Sequence, residues 1–546
     1  MSIIGIDFGT TNSLAAYVDE YGKAKIITDH QGDNLTPSVV AKYDNKLYVG
    51  KEARENIIVF MDGYGIKEIK REFGTGKILE FAGERMQPYE IAAIILKKIK
   101  RNAELLLSEE VSAAVISVPA EFGDAQRNEI IAAGKCAGFD VKKIINEPTA
   151  AILSYAIGYP MHKTILCYDF GGGTFDISVA RIDGQDIRII SSGGNRDLGG
   201  KDIDDILVQH FRKDVELQRG CTLNKYGLYK LRLSVEELKI HLSSQSNATI
   251  SISDLGTAGG KPVSYFRKVS RQEIECLIEL KINESIDLVR KVLSDSAIQP
   301  RDIDEVLLVG GTSRIPMVSV KLKAIFGEKV SFGTIDPQES VALGAGIEAG
   351  NLSNRRIGPR VKEDICPFTL GLKKTDKDGN SDVFEPLLRR NFKYGEEASS
   401  EFHTILDNQV SMKLEIYQGE NSIASRNEPV GIFDIMNIPE RPRGLEKVKV
   451  FFKYDMNGIL NVKARIVSTG EMATTTVKYG FDIQAAQKST KKIDRLFISD
   501  EVIEDAIAMR KALRKTGKTK EKQAVDEAIK YENEKELEAL MDDLLS

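Results

Sequence analysis

Apolar and polar positions follow three successive rhythms along this chain. In the first 350 residues short apolar runs alternate with amphipathic stretches. "SAAVISVPA" (112–120) reads as a strand, "AQRNEIIAAGKCAGF" (125–139) as a helix, and "VKKIINEP" (141–148) as a strand again. This alternation predicts an α/β domain. From about Cys366 the period becomes two. Met412, Leu414 and Ile416 alternate with polar residues in "SMKLEIYQGE", and "KVKVFFKYDMNGILNVKARI" (447–466) sets two alternating strands around an Asn457-Gly458 turn. An antiparallel β domain follows. After about residue 485 the period is helical, with Ile503, Ile507 and Leu513 near one stripe and "KELEALMDDLLS" closing the chain. Between the first two blocks "NRRIGPRVKED" (354–364) is charged and contains Gly-Pro, as a linker does. The predicted division is an α/β domain over 1–353, a linker over 354–364, a β domain over 365–485 and a short helical tail over 486–546.

Composition narrows the function classes. A chain of 546 residues is longer than one core normally supports, which agrees with several domains. With 42% hydrophobic and 29% charged residues it reads as a soluble globular protein, and a net charge of -5 gives no basic field for nucleic acid. The basic run "RKALRKTGKTKEK" (510–522) lacks aromatics for stacking, is flanked by acids and reads as a solvated helix and loop. The start has neither a basic n-region nor a long apolar stretch, and no segment nears the roughly 20 apolar residues of a membrane span. A cytoplasmic location is expected. Cys136, Cys167, Cys221, Cys276 and Cys366 lie far apart without a C-x-x-C pair, so they are expected to be reduced and mostly buried rather than disulfide-bonded or zinc-binding.

The chemistry sits in repeated glycine elements. "IGIDFGTTNS" (4–13) and "LCYDFGGGTFDIS" (166–178) each place an Asp at a strand end, then glycines, then hydroxyl or amide residues. Glycines let backbone N–H groups converge on an anion, threonines add donors, and the Asp can hold a hydrated Mg²⁺. One such stretch is often only a loop. Two in matching contexts suggest a duplicated domain gripping one polyphosphate from both sides. "DEVLLVGGTSRIPMV" (304–318) suits the nucleoside end of a nucleotide, with Pro316 near a helix start, though alone it is an ordinary strand-to-helix turn. "RDLGGKDID" (196–204) adds a fourth Gly-Gly, again compatible with a plain turn, and neither a P-loop nor a Rossmann fingerprint is present.

In order along the chain, "IGIDFGTTNS", "INEPTAAILSYAIG", "YDFGGGTFDIS", "LGGKDID", "LLVGGTSRIPMV", "DICPFTLGL" and "YQGEN" resemble the DnaK-like seventy-kilodalton heat-shock chaperone family. The last two and the short tail resemble its HscC branch most. The resemblance implies a two-lobed actin-like ATPase domain, one phosphate hairpin per lobe, an antiparallel β-sandwich for peptide and a shortened helical lid. It implies an ATP-dependent chaperone for unfolded or extended clients. ATP and ADP are the implied ligands, with Mg²⁺ and, as a further candidate, K⁺. The partners implied are a J-domain co-chaperone and a nucleotide exchange factor, with no nucleic acid or membrane, and the chain is expected to be a monomer.

By match to the family motifs, Asp7 and Asp169 would position Mg²⁺ through water, while Gly9, Thr10, Thr11 and Asn12 face Gly172, Gly173 and Thr174 across the phosphates. Lys70, in "IKREFG", would supply charge near the γ-phosphate, and Glu147 and Asp176 would orient water and the metal shell. Gly199 and Gly200 join the nucleotide set. Glu236, Lys239 and Ser243, at helical spacings of three and four, would hold adenine and ribose with Gly311, Thr312, Ser313 and Arg314; an exposed ion-pair face is the ordinary alternative. Phe402, Ile405, Met412 and Leu414 are candidates for the client cleft, each also compatible with core packing. Lys143, Asn146, Thr149 and Asp364 correspond to positions that meet the J-domain, and Pro119 and Arg127 to the relay between lobes.

The chain departs from the family at several points. "GPRVKE" precedes Asp364 where leucines are usual, removing apolar docking surface and predicting weaker coupling. Lys143 stands where Arg is common, Glu121 where an aromatic is usual, and Lys201 where an acid is usual. The segment after Lys70 is short, and a lid of this length predicts fast client release. A sugar-type kinase of the same superfamily and a nucleotide-gated scaffold are the competing functions. Phosphorylation of a polyol would favour the first, and bound ATP without turnover the second.

Overall fold

The computed structural model describes residues 2–43, 46–56, 65–157, 161–220, 222–258, 261–353, 358–374 and 381–473, then 489–490, 492–493 and 496–497. The expected helical stripe of Ile503, Ile507 and Leu513 lies outside the described residues, as do residues 354–357 of the linker and Cys221.

Two sheets repeat one topology. The first runs Asp140–Asn146, Val111–Val118, Ser2–Asp7, Asn12–Val18, Ala24–Ile27. The second runs Val330–Ser331, Glu305–Val309, Met161–Phe170, Phe175–Gly184, Asp186–Asn195. In each the first two pairings are parallel and the last two antiparallel. The two Asp-Phe-Gly stretches are therefore the equivalent hairpins of two equivalent lobes. Their strands are apolar because helices cover the sheets. Ile4, Ile6 and Ile116 share one core with Ile91, Ile94 and Ile95 of the helix Pro88–Leu107, and Leu166, Tyr168 and Ile177 share another with Ile278, Ile282 and Val289 of Arg271–Asp295.

Where the lobes meet, backbone packs on backbone. A Cβ at Gly344, in the helix Ser340–Leu352, would lie 1.8 Å from the carbonyl oxygen of Ala150, and one at Gly5 would lie 2.0 Å from the amide of Gly346. Only glycine permits such an approach. The helix Pro316–Phe326 opens on its proline, as the sequence predicts.

The β domain is two four-stranded antiparallel sheets. One runs Val383–Leu388, Leu370–Lys374, Met412–Gln418, Glu428–Ile435, the other Glu397–His403, Lys447–Tyr454, Leu460–Ile466, Met472–Ala473. The period of two is realised as inward Val448, Val450, Phe452, Leu460, Val462 and Ala464 packing with Leu414, Ile416 and Phe433. The turn between the two long strands puts Gly458 at φ 69°, a conformation glycine adopts freely.

The linker is built into the second sheet. Arg360–Glu363 is a strand, parallel to Asp186–Asn195 and sixth in the second sheet. Arg360 and Lys362 donate to the Asp186 carboxylate at 2.9 and 3.1 Å, and Arg188 meets Glu363 at 3.4 Å. Its polar side chains thus dock through the backbone ladder and opposite charge, where the sequence suggested only the loss of an apolar surface.

Of the described cysteines, Cys136, Cys167 and Cys366 are buried and outside any disulfide, but Cys276 is exposed. It lies on the outer side of its helix because Ile274 and Ile278 take the inner stripe. Among the described residues no helix is long and apolar enough to cross a membrane.

Candidate functional site

The two hairpin loops press against each other. A Cβ on Gly172 would fall 2.2 Å from Thr11 Oγ1, and one on Gly173 2.2 Å from Thr10 Oγ1. Both loops are held from behind. Ser38 donates its hydroxyl to the Gly9 carbonyl at 2.7 Å and its amide to that of Thr11 at 2.8 Å. In the other loop Thr312 Oγ1 donates to the Gly171 carbonyl at 2.8 Å, the Lys201 amide to Gly172 at 2.8 Å, and Arg71 Nη2 to Gly173 at 2.6 Å. The peptide planes are fixed before any anion arrives, which is what preorganised anion binding needs. Gly173→Ala is expected to wedge the loops apart and weaken ATP binding about tenfold, a change of about 1.4 kcal/mol. Titration with a fluorescent ATP analogue measures this, and an unchanged Kd would show that the loops have room to give.

Behind the loops is a knot of charge. Lys70, buried on the turn Ile69–Glu72, places Nζ 2.5 Å from Glu147 Oε1 at the start of the helix Glu147–Tyr155. Asp7 ends its strand and accepts from Ser117 Oγ at 3.0 Å. Asp176 accepts from the amides of Ala120 at 2.8 Å and Glu121 at 3.4 Å, and Asp169 lies near the end of Met161–Phe170. Burial, then the charge of Glu147, pushes Asp7 and Asp176 each up to about 7 and Asp169 well above the ordinary carboxylate range, while Lys70 pulls all three down. Four carboxyls around one ammonium call for another cation. Among the described residues no three His, Cys, Asp or Glu side chains converge closely enough to ligate a metal directly. Buried carboxylates supply oxygen donors of the kind a hard divalent cation takes.

At the opposite end of the cleft, Lys239 pairs with Asp204 at 2.7 Å and reaches the Gly200 carbonyl at 3.4 Å, and Ser243 Oγ donates to the Lys239 carbonyl at 3.1 Å. Gly199 and Gly200 stand at the start of the helix Gly200–Arg219, and a Cβ on Gly200 would be 2.7 Å from Thr312 Oγ1. Ser313 donates to the Gly310 carbonyl at 2.6 Å, beside Gly311. Lys239, Gly200 and Thr312 are brought together. Glu236 and Arg314, on the same helix as Lys239 and the same turn as Thr312, pair with Arg54 at 3.5 Å and with Asp336 at 2.8 Å.

Several residues of this site escaped the sequence reading. Arg71 forks onto both oxygens of Asp202, at 3.1 and 2.5 Å, and so ties one lobe to the other. Lys201, noted only as a departure, reaches Glu68 across the same gap at 3.5 Å. The signals were adjacency: Arg71 follows Lys70, and Asp202 and Asp204 lie in "LGGKDID".

The relay and linker positions form a second network. Arg127, fully buried, donates to the carbonyls of Phe122 at 2.9 Å, Ala120 at 3.3 Å and Asn457 at 3.2 Å, and to Asn146 Oδ1 at 2.7 Å. Pro119 opens the same turn, its carbonyl accepting from Phe122 at 3.1 Å. Asn457, at the sandwich turn, accepts from the Ile144 amide at 2.9 Å, and Asp124 accepts from the Leu460 amide at 2.8 Å. Asn146 and Thr149 each donate to Asp364 at 3.2 Å, and burial raises the Asp364 carboxyl above its usual range. Lys143 does not join them. It pairs with Glu348 at 2.5 Å.

In the sandwich the cleft candidates separate. Leu414 is in the core at 7% exposure, Phe402 and Met412 are half-buried against it, and Ile405 is 76% exposed.

The family model described as Hsp70 protein matches residues 3–78 and 74–546. A protein named chaperone protein DnaK from Halobacterium salinarum is 37% identical over 488 residues, covering 89% of this chain and 76% of its own length. The protein of that name from Thermosipho melanesiensis is 37% identical over 483 residues, with 87% and 80% covered. That from Thermotoga maritima is 36% identical over 484 residues, with the same coverage of 87% and 80%.

Proposed function

The chain belongs to the Hsp70 family and is thus an ATP-hydrolysing chaperone for unfolded polypeptides, and we propose that Lys70, Glu147 and the opposed hairpins carry out the cleavage. What supports this assignment above all is the buried Lys70–Glu147 pair among three further acids, directly behind two loops in contact.

In the proposed reaction a water oxygen bonds to the γ-phosphorus as the bond to the β–γ bridging oxygen breaks, and that electron pair stays with ADP. Gly9, Thr10, Thr11 and Asn12 on one side and Gly172, Gly173 and Thr174 on the other would align the phosphates. Lys70 would balance charge on the γ-phosphoryl group, while Glu147 and Asp176 orient the attacking water, whose proton passes to solvent through the Glu147 carboxylate. When bound, hydrated Mg²⁺ would neutralise the phosphate oxygens, its waters held by Asp7 and Asp169, with K⁺ a further candidate. Gly199, Gly200, Glu236, Lys239, Ser243, Gly311, Thr312, Ser313 and Arg314 would retain the nucleoside.

The sandwich would bind an extended client segment near Phe402, Ile405 and Met412, and the half-burial of Phe402 and Met412 beside exposed Ile405 favours these over Leu414. Lys143, Asn146, Thr149 and Asp364 would meet a J-domain protein, with a separate exchange factor, in the cytoplasm. "DICPFTLGL", "YQGEN" and the short tail favour an HscC-like specialisation.

Single-turnover hydrolysis with and without an extended apolar peptide tests the coupling. Peptide is expected to accelerate hydrolysis, because binding at one site must be felt at the other when the two share an equilibrium. Equal rates would mean that the sandwich and the cleft act independently.

A further inference from the structure

A cavity of about 200 Å³ begins at Lys70, Thr10 and Thr174 and continues past Arg71 to Arg196 and Glu428. Thr10, Lys70 and Thr174 are buried, whereas Gly74, Thr75 and Asp197 are exposed and the side chains of Arg196 and Glu428 are 41% and 36% exposed, so it leads from the hairpins towards solvent. None of the nucleoside-end residues lines it. The outer end is shared between domains. Arg196 follows the strand Asp186–Asn195 of the second lobe, Glu428 begins a sandwich strand, and the two pair at 2.9 Å. Arg71, which lines the cavity, has both terminal nitrogens committed to Asp202 and the Gly173 carbonyl. Lys70, Arg71 and Arg196 give the cavity three cationic side chains for an oxyanion to pass.

We propose that this cavity is the exit for the phosphate cleaved from ATP, and that the Arg196–Glu428 pair is its gate, closed while the sandwich is docked. The inference rests on the ATPase reading of the cleft. Its chemistry is that of a free tetrahedral oxyanion. Phosphate formed beside Lys70 and Thr174 moves away from bound ADP, past Arg71, and leaves when the sandwich lifts Glu428 from Arg196. The sandwich then governs when product leaves as well as when the bond is cut.

The experiment follows one turnover of the full chain by two signals, acid-quench for cleavage and a fluorescent phosphate-binding protein for release. In the native chain release is expected to lag cleavage. Arg196→Ala and Glu428→Gln are each expected to shorten that lag about two- to fivefold relative to cleavage in the same variant, as suits loss of a half-exposed ion pair. Arg390→Ala loosens docking at a second contact. It removes a different sandwich contact, to Asp295 at 3.0 Å and the Ser192 carbonyl at 3.0 Å, and Arg390 does not line this cavity. Looser docking also frees Glu428 from Arg196, so Arg390→Ala is expected to shorten the lag too, by less than either gate variant. Release coincident with cleavage in the native chain, or a lag unmoved by both gate variants, or a lag lengthened in Arg390→Ala, would overturn it. Absence of cleavage in the native chain would instead overturn the ATPase reading beneath it.

Discussion

Lys70→Ala is expected to slow single-turnover ATP hydrolysis by about 10²- to 10³-fold, the range for removing one preorganised charge donor at a reacting group. The argument is one of charge. Lys70 is the cation bonded to Glu147, and it draws down the carboxyls of Asp7, Asp169 and Asp176 as well. Without it those buried acids hold their protons more tightly and cannot bind the water shell that the reaction uses. The pH at which the residual rate rises should therefore move upward in the variant, the direction in which deprotonation must be forced. ATP affinity should fall far less than the rate, since the hairpins that grip the phosphates remain. Quench-flow across a pH series measures both quantities, and a rate within about threefold of the native one would remove Lys70 from the reaction.

Arg127→Ala is expected to abolish stimulation by peptide and to lower stability by roughly 3 kcal/mol, the scale for losing hydrogen bonds made by a buried charged group. This guanidinium joins three structural units at once. It holds the turn after Pro119, it fixes Asn146, which bonds Asp364 at the linker end, and it meets Asn457 on the sandwich. Alanine would leave those acceptors buried and unpaired. Denaturant unfolding gives the stability, and single-turnover rates with and without peptide give the coupling. Retained stimulation in a destabilised variant would show that Arg127 only supports the fold.

The sequence made the parts of this molecule legible wherever the information was local. Strand ends followed by Asp-Phe-Gly revealed the hairpins, and the two-residue period around Asn457-Gly458 revealed the sandwich, because each is written in consecutive residues. Relations between distant residues were harder to read. The fork of Arg71 on Asp202 depends on two lobes closing, and nothing near Arg71 in the chain announces its partner. Cys276 looked like any other scattered thiol until the helix placed Ile274 and Ile278 inward. Leu414 could have served core or cleft with equal chemistry, and only the opposing sheet decided that it packs inside. The strand at Arg360–Glu363 was invisible for a different reason: its docking uses main-chain groups, which every sequence possesses.

That strand has a second consequence. By pairing with Asp186–Asn195 it covers what would otherwise be the bare rim of the ATPase sheet. Were the tether to detach, a row of unpaired amides and carbonyls would face water, the kind of surface on which stray extended chains accumulate. For a protein that handles unfolded polypeptides this is a hazard of its own trade. The charges of Asp186 and Arg188, which hold the tether when it is docked, remain on the rim when it leaves and discourage an apolar strand from taking its place.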